Sequence, residues 1–235
     1  MYVSKMRRKV VILSAQRAVK KMGQRLIFYD FETNGLWSPL NQPIEVCMLI
    51  RENGTETKFT KLIKPPYKLS NIIIEKTGIT DELLAEQGIE LSEAFRLIRG
   101  ILFENPDTKL IGFFNRRFDD RFLNYYLQKY WERSDGIENI IFKENNIFDC
   151  AAYFKAELLG AKPHPEETVI QFEKRMVNAR CEHAHTLTDA VNFYGIESDG
   201  KFHRAEPDAI KTRDIYDAIQ HRATKSKRTA SKQPA

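Results

Sequence analysis

Two carboxylates near the start of the chain have the types and spacing of a metal or acid–base site. Asp30 and Glu32 lie at the end of an apolar and aromatic run, residues 26–31, which is typical of a buried β-strand. Side chains two residues apart on a strand share a face, so both acids point one way and Phe31 points the other. Burying paired carboxylates is costly unless a cation offsets their charge. The pair therefore indicates either a hard divalent ion such as Mg²⁺ or Mn²⁺, or an exposed strand end with solvated acids.

Two further polar groups fall at element ends far from this pair in the sequence. Asn115-Arg116-Arg117-Phe118-Asp119 follows a short apolar strand, and Asp119 falls early in the next predicted helix. His203 falls in a loop, and Asp208 falls in the first turn of the last predicted helix. A carboxylate near a helix N-terminus is stabilised as an anion, which keeps it ready to bind a metal ion. Element ends are places where a site can be assembled from distant parts of a chain.

The elements that must position these groups alternate between strands and helices. The predicted strands are residues 26–31, 44–50, 58–63, 109–113 and 147–148. Asn53-Gly54 predicts a two-residue hairpin turn between the second and third strands. The predicted helices are residues 69–84 with a break at Thr77-Gly78, 92–102, 115–130, 151–159, 166–176, 186–194 and 208–221. Three antiparallel strands followed by strand–helix units predict an α/β fold, with a mixed sheet and helices on its faces.

Charge is distributed unevenly along the 235 residues, whose net charge is +5. Residues 1–25 carry eight Lys or Arg and residues 221–235 carry five, and neither segment contains an acid. That leaves 24 basic residues against all 32 acids between them, a net charge of −8. Basic ends predict contact with a phosphate backbone, or merely solvated tails. We expect a basic arm at 1–24, a folded domain at 25–220 and a basic disordered tail at 221–235.

Composition narrows the class and location of the protein. A hydrophobic content of 42% supports a real core. Three cysteines without pairwise spacing favour a reducing compartment over a disulfide framework. Apolar runs fall short of the roughly 18–20 residues that a membrane span needs, so we expect no membrane partner. A cytoplasmic location is predicted, with a mitochondrial or nuclear one as the alternative because the Arg-rich N-terminal arm resembles a transit segment.

Taken in order, the three polar groups resemble the motifs of the DEDDh exonucleases. This family includes the proofreading subunit of bacterial replicative DNA polymerase, RNase T, oligoribonuclease and the TREX-type nucleases. The matching residues are Asp30-Phe31-Glu32-Thr33, Asn115-x-x-Phe118-Asp119 and His203-x-x-x-x-Asp208-Ala209. Supporting phrases are Gly35-Leu36, Thr77-Gly78-Ile79-Thr80-Asp81, Leu187-Thr188-Asp189-Ala190 and Tyr194-Gly195-Ile196. The resemblance covers residues 25–220 and implies a ribonuclease H-like, mixed five-stranded sheet flanked by helices.

This chain also departs from the family pattern. Phe114 stands where the family often has His, and Asn34 stands where it often has a second Thr before Gly35. Both changes bear on how the last nucleotides of a substrate are held, and neither removes a metal ligand. Residues 160–180 lengthen the usual connection between the second and third motifs.

The resemblance implies a 3′→5′ exonuclease that uses two Mg²⁺ or Mn²⁺ ions and releases nucleoside 5′-monophosphates. In this scheme Asp30 bridges both ions, and Glu32 and Asp208 complete the ion that binds the attacking water. Asp119 supports the second ion. His203 is the implied general base, a role that suits a side chain with a near-neutral pKa.

The substrate contacts follow from the first two motifs, and the implied residues are Thr33, Gly35, Leu36, Trp37, Asn115 and Phe118. In relatives the residue after the motif glycine wedges against the terminal base, which points to Leu36. Trp37 either stacks on a base or packs under its loop. We expect a single-stranded or frayed 3′ end of DNA, with RNA or short oligoribonucleotides as the alternative. A nucleic-acid-binding module without turnover is a further alternative, and a polymerase or a second copy of the chain is a possible partner.

Several nearby residues have more than one interpretation. Arg116 and Arg117 either face phosphates or cover the helix. Asp120 is expected to be solvated, and Asp149 is expected to be structural. Cys181-x-His183-x-His185 resembles part of a zinc site, although the sequence lacks further ligands at a suitable spacing.

Overall fold

The computed structural model describes residues 24–105, 107–130, 146–181, 186–198 and 203–230. The predicted basic arm up to residue 23, the last five residues of the predicted tail, and His183 and His185 lie outside these ranges. Among the helices of the described ranges, none combines the length and apolar composition that a membrane span requires.

A five-stranded sheet lies at the centre of the fold. Its strands, in the spatial order β3-β2-β1-β4-β5, are β1 (Arg25–Thr33), β2 (Pro43–Glu52), β3 (Thr55–Leu62), β4 (Thr108–Gly112) and β5 (Ile147–Asp149). β1, β2 and β3 form an antiparallel meander, and β4 and β5 continue the sheet in parallel with β1. The predicted mixed sheet, an antiparallel meander plus parallel strands, is confirmed.

Eight helices of the described ranges flank this sheet. They are α1 (Asn71–Thr77), α2 (Asp81–Gln87), α3 (Leu91–Phe103), α4 (Asp119–Lys129), α5 (Cys150–Leu159), α6 (Val169–Asn178), α7 (Leu187–Tyr194) and α8 (Ala205–Ala230). The predicted break at Thr77-Gly78 is confirmed, because Gly78 adopts a left-handed conformation and Thr80 caps α2. Thr186 opens α7 with the predicted capping box.

Strand β1 divides the core by the alternation of its side chains. Tyr29 and Phe31 face a cluster that includes Phe95 of α3, and the Phe31 and Phe95 rings stack with centroids 6.3 Å apart. Phe28 faces the opposite cluster, which contains Tyr216 of α8. Because side chains alternate, the two acids of β1 continue the α8 side of the sheet, as their spacing predicts.

Several boundaries differ from the predicted ones, and the changes in three helices bear on the site or on the tail. α4 begins at Asp119 rather than at residue 115, because residues 114–118 form a separate turn. α6 begins at Val169, where Thr168 provides a capping box, rather than at residue 166. α8 begins at Ala205 and continues to Ala230, so residues 222–230, which we expected to be part of a disordered tail, are helical. These residues contain neither Gly nor Pro and are rich in Ala, Lys and Arg, which favour helix.

Candidate active site

The two acids of the first motif stand at the C-terminal end of the central strand. Asp30 pairs with Cys47 of β2, and Glu32 pairs with Glu45, directly across the antiparallel ladder. The register shifts immediately after Glu32. Both acids are partly buried. Their position between β2 and β4 lets loops from both sides of the sheet reach them.

Residues 114–118, here the Asn115 turn, bring the second motif to β1. Phe114 has a left-handed backbone with φ of 58°, and the amides of Arg117 and Phe118 both donate to its carbonyl oxygen. Asn115 is fully buried beneath Gly112, where a Cβ atom would lie 2.4 Å from the Asn115 Cβ, so only glycine fits. The turn therefore packs closely against the end of β4 and starts α4 at Asp119.

Asp119 reaches the first motif directly. It is buried, and its Oδ1 accepts a hydrogen bond of 3.1 Å from the backbone amide of Phe31, the residue between Asp30 and Glu32. Asp120, which we expected to be solvated, is held instead by the Tyr29 hydroxyl, which donates to its Oδ1. Desolvation raises the pKa of Asp120. The second motif therefore places Asp119 on the acidic side of β1 and anchors Asp120 to Tyr29.

Residues 203–205, here the His203 loop, bring the third motif to the same place. His203 has a φ of 63° and an exposed side chain, and its amide donates to Asp208 Oδ2 at 3.0 Å. The Arg204 guanidinium donates to both oxygens of the buried Glu45, at 2.6 and 2.9 Å. The Ala205 amide donates to Glu45 as well, at 2.9 Å. Glu45 thus fixes the His203 loop to β2 beside Glu32.

The three motifs converge at one end of the sheet. One potential ligand atom from each of Glu32, His203 and Asp208 lies within 4.8 Å of the other two, which makes a possible acidic and histidine metal site. Asp30 lies close enough to Asp119, Glu32 and Asp208 for each of these carboxylates to raise its pKa. The structure therefore brings together the five residues that the motifs single out, Asp30, Glu32, Asp119, His203 and Asp208.

Desolvation is the main cause of the raised pKa values of the acids in this cluster. It raises the pKa of Glu32 to about 7, with Asp208 and Glu45 adding to the effect. It also raises the pKa of Asp30, Asp119 and Asp208. Crowded carboxylates must either hold protons or share a cation. A set of carboxylate oxygens with one imidazole suits a hard divalent ion, so the residues present fit the metal that the motifs imply.

The pKa of His203 shifts in the opposite direction from the pKa values of the acids. Partial desolvation, followed in effect by the nearby charge of Lys76, lowers its pKa below the usual value, although Asp208 opposes this. The imidazole is therefore mainly neutral at neutral pH, which is the form that accepts a proton.

The predicted substrate residues divide into two groups. Leu36 and Trp37 are 68% and 64% exposed, so Trp37 does not pack under its loop. Thr33 and Gly35 shape that loop. The Thr33 hydroxyl donates to the Gly35 carbonyl at 2.6 Å, and a Cβ on Gly35 would lie 2.4 Å from the Asn41 side chain.

The other predicted substrate residues belong to the interior of the Asn115 turn. Asn115 is buried, and its amide group donates to the Tyr29 hydroxyl at 3.4 Å. Phe118 packs against Phe122, with ring centroids 5.2 Å apart. Arg116 is not directed at a phosphate but forms an ion pair with Glu173, whereas Arg117 is exposed. Asp149 caps α5 through the Ala151 amide, so its expected structural role agrees with its contacts.

Comparison with known proteins identifies the family of the chain. The RNase T family model, described as Exonuclease, matches residues 27–216, and the chain belongs to this family. The PolC-type DNA polymerase III of Mycoplasmopsis pulmonis is 35% identical over 124 residues, which are 52% of this chain and 8% of that protein. The uncharacterized exonuclease CP81 of Escherichia phage 186 is 26% identical over 207 residues, 87% of this chain and 93% of that protein.

Solved structures share the fold. The zinc-bound complex of E. coli Exonuclease I with single-stranded DNA superimposes with a TM-score of 0.66 and 18% identity, over 86% of this chain and 42% of that one. The complex of E. coli Exonuclease I with a dA16 oligonucleotide gives a TM-score of 0.63, also at 18% identity, over 85% of this chain and 41% of that one. The chain thus spans less than half the length of these proteins and under a tenth of the PolC-type polymerase.

Proposed function

We propose that the protein is a divalent-metal-dependent 3′→5′ exonuclease that removes nucleoside 5′-monophosphates from a single-stranded or frayed DNA end. The observation that carries this proposal is the convergence of Glu32, His203 and Asp208 within 4.8 Å, beside Asp30 and Asp119, in a member of an exonuclease family. Metal-binding carboxylates beside a proton acceptor are the groups with which a metal-dependent hydrolase cleaves a phosphodiester.

The residues have distinct roles in this proposal. Asp30, Glu32, Asp119 and Asp208 would hold two Mg²⁺ or Mn²⁺ ions, which supply an activated water and offset charge on the phosphodiester. His203 accepts the proton of the attacking water, because it is mainly neutral and stands in an exposed loop within reach of Glu32 and Asp208. The hydrogen bond from the His203 amide to Asp208 holds the base and the carboxylate in a fixed relation.

The substrate end approaches from the side of Leu36 and Trp37. Both side chains are exposed next to the first motif, where Leu36 can contact the terminal base and Trp37 can stack on a neighbouring one. The polymerase relatives and the Exonuclease I–DNA complexes support DNA over RNA as the substrate. A polymerase or a second copy of the chain as partner, and a cytoplasmic location, stay predictions.

A digestion assay tests the proposal. Single-stranded DNA, blunt duplex DNA and RNA of one sequence, each labelled at the 5′ end, are incubated with Mg²⁺ or Mn²⁺. We expect a ladder that shortens from the 3′ end, free nucleoside 5′-monophosphates, and the fastest digestion with single-stranded DNA. A 3′-terminal phosphorothioate block should stop the reaction.

Asp30→Asn and EDTA serve as controls for the same assay. Undiminished digestion in either would contradict the metal-dependent mechanism. Faster digestion of RNA would leave the mechanism intact and assign the substrate to the alternative class. Oligonucleotide binding without any release of nucleotides would favour a module that binds nucleic acid without turnover.

A further inference from the structure

One buried carboxylate has no part in the proposed chemistry, although it is linked to the Asn115 turn. Glu173 lies on α6, within the 160–180 segment that lengthens the connection between the second and third motifs. Its side chain is fully buried, in the same stripe as Phe172 and Met176. An ionised group among apolar side chains is unfavourable unless it is bonded, so its partners indicate why it is there.

The partners of Glu173 belong to the second motif, to the end of β5 and to α5, where the Tyr153 side chain hydrogen-bonds to it. Its Oε2 accepts from Arg116 Nε at 2.5 Å, and its Oε1 accepts from the Asp149 amide at 3.4 Å. The same guanidinium donates to the Ile147 carbonyl at 3.2 Å. Arg116 is therefore held between α6 and β5, with 10% of its side chain exposed.

The Asp149 carboxylate fixes the backbone of the Asn115 turn on both sides of Asn115, next to the ion pair of Arg116. The Phe114 and Arg116 amides donate to the two oxygens of Asp149, at 3.0 and 3.3 Å. The Phe114 ring packs against the hydrophobic cluster of α5 and α6, with the Lys155 ammonium 5.2 Å above it. A left-handed backbone at a bulky residue such as Phe114 is unfavourable and persists only where its surroundings hold it.

The Asn115 turn leads directly into Asp119, whose carboxylate accepts from the Phe31 amide. A continuous chain of contacts therefore runs from α6 through Arg116 to the acids of β1. We infer that Glu173 is a positioning residue, which holds the Asn115 turn through Arg116 and thereby sets where the Asp119 carboxylate stands. This inference rests on the proposed function, in which Asp119 supports a metal ion.

Two variants separate positioning from simple stabilisation. Glu173→Gln keeps the shape of the side chain and removes its charge. The double variant Arg116→Met/Glu173→Leu replaces the ion pair with apolar groups of similar volume, a change that often preserves or raises stability. Glu167→Gln is the matched control. Glu167 pairs with Arg175 of α6 and accepts from the His164 amide, and both partners lie outside the Asn115 turn.

The measurements are kcat and KM on single-stranded DNA, the Kd for Mn²⁺ by calorimetry, and the thermal unfolding temperature. In Glu173→Gln we expect kcat to fall and the Kd for Mn²⁺ to rise, each about tenfold, with KM within about twofold of wild type. The double variant should regain the wild-type unfolding temperature without regaining kcat or Mn²⁺ affinity. Glu167→Gln should match wild type in kcat and Kd.

Two results would overturn the inference. One is an unchanged kcat and Mn²⁺ affinity in Glu173→Gln, and the other is wild-type kcat in the double variant. Failure of the proposed function would look different, because the wild-type protein would then release no nucleotide. The Mn²⁺ titration does not depend on turnover and would still report whether Glu173 affects the acidic cluster.

Discussion

The His203 loop and the Asn115 turn deliver carboxylates to β1 with the same two devices. Each contains a non-glycine residue in the left-handed region, His203 with φ of 63° and Phe114 with φ of 58°. Each also ties an arginine to a buried glutamate, Arg204 to Glu45 in the loop and Arg116 to Glu173 in the turn. In both segments, charge-assisted hydrogen bonds thus hold an unfavourable backbone conformation in place.

The two segments differ in their access to solvent. The Arg204 side chain is 40% exposed, whereas that of Arg116 is 10% exposed. His203 is exposed, and Asn115 is buried. A base must exchange its proton with water in every cycle, so its loop has to stay open. A segment that only holds a carboxylate can be closed, and burial then makes its position more rigid.

The largest effect is expected where both segments meet, at Asp30. Asp30→Asn should lower kcat by about 10³-fold or more, because it removes the carboxylate that lies against both Asp119 and Asp208. The same change should raise the unfolding temperature of the metal-free protein, since it relieves repulsion among crowded acids. Steady-state kinetics and thermal unfolding in EDTA measure the two effects. A fall in unfolding temperature would show that the acids do not repel one another in the folded protein.

The open character of the His203 loop predicts chemical rescue. His203→Ala should lower kcat by about 10²-fold, the lower end of the range for loss of a general base. Added imidazole should restore part of this activity, because the His203 side chain stands at an exposed position. Asp119→Ala, the counterpart in the closed turn, should respond neither to imidazole nor to acetate. Equal rescue of both variants would remove the contrast between the loop and the turn.

Breaking each ion pair tests whether the difference in burial between the two segments affects the stability of the protein. Arg116→Met should lower the free energy of unfolding by about 3–5 kcal/mol, because it leaves the Glu173 carboxylate buried without its cation. Arg204→Met should cost about 1–3 kcal/mol, because water can enter the more open site and Glu45 keeps the Ala205 amide. Urea unfolding at neutral pH measures both values. Arg175→Met, which breaks the Arg175–Glu167 pair outside the two segments, is the control and should lower the free energy of unfolding less than either change.

The smallest effect concerns pH and compares the acids of the two segments. The pKa of Glu32 is raised to about 7, and those of Asp119 and Asp208 are raised as well. Between the unfolded pKa of about 4.5 and 7, the folded protein holds more protons than the unfolded chain, so stability without metal falls as pH rises. Mn²⁺ should therefore raise the unfolding temperature more at pH 8 than at pH 5.5.

The closed turn should contribute more to this pH dependence than the open loop. The pKa of Asp119 is raised well above its ordinary value by desolvation, whereas Asp208 keeps a contact with Lys211 at 3.4 Å. Asp119→Asn should thus flatten the stability–pH profile of the metal-free protein more than Asp208→Asn does. The reverse order would indicate that the two carboxylates are more alike than their burial suggests.

Much of this arrangement could be predicted from the sequence because it depends on local patterns. Alternation in β1 is sufficient to place Asp30 and Glu32 on one face and Phe31 on the other. Asn53-Gly54 specifies the hairpin between β2 and β3, and Asn53 indeed has a positive φ of 51°. The order of the three motifs then predicts which element ends meet.

The supporting ion pairs could not be predicted, because each joins distant segments. Arg204 and Glu45 are 159 residues apart, and Arg116 and Glu173 are 57 apart. An arginine in a loop and a glutamate on a helix look like ordinary surface charges in a sequence. Glu45 could have been noticed in the sequence, since it is an isolated acid within the apolar residues 44–50. Such a residue indicates a buried partner without indicating which one.

The alternation of β1 also constrains how the chain can misfold. A slip of β1 by one residue against β2 would turn Asp30 and Glu32 into the aromatic cluster and expose Tyr29 and Phe31 on the acidic side. Two unpaired carboxylates in an apolar interior would cost more than the sheet could recover through its hydrogen bonds. The acids should therefore disfavour a slipped pairing of β1 with β2, independently of any substrate. A chain without these acids would lack activity, and its β1 would have a weaker preference for one register.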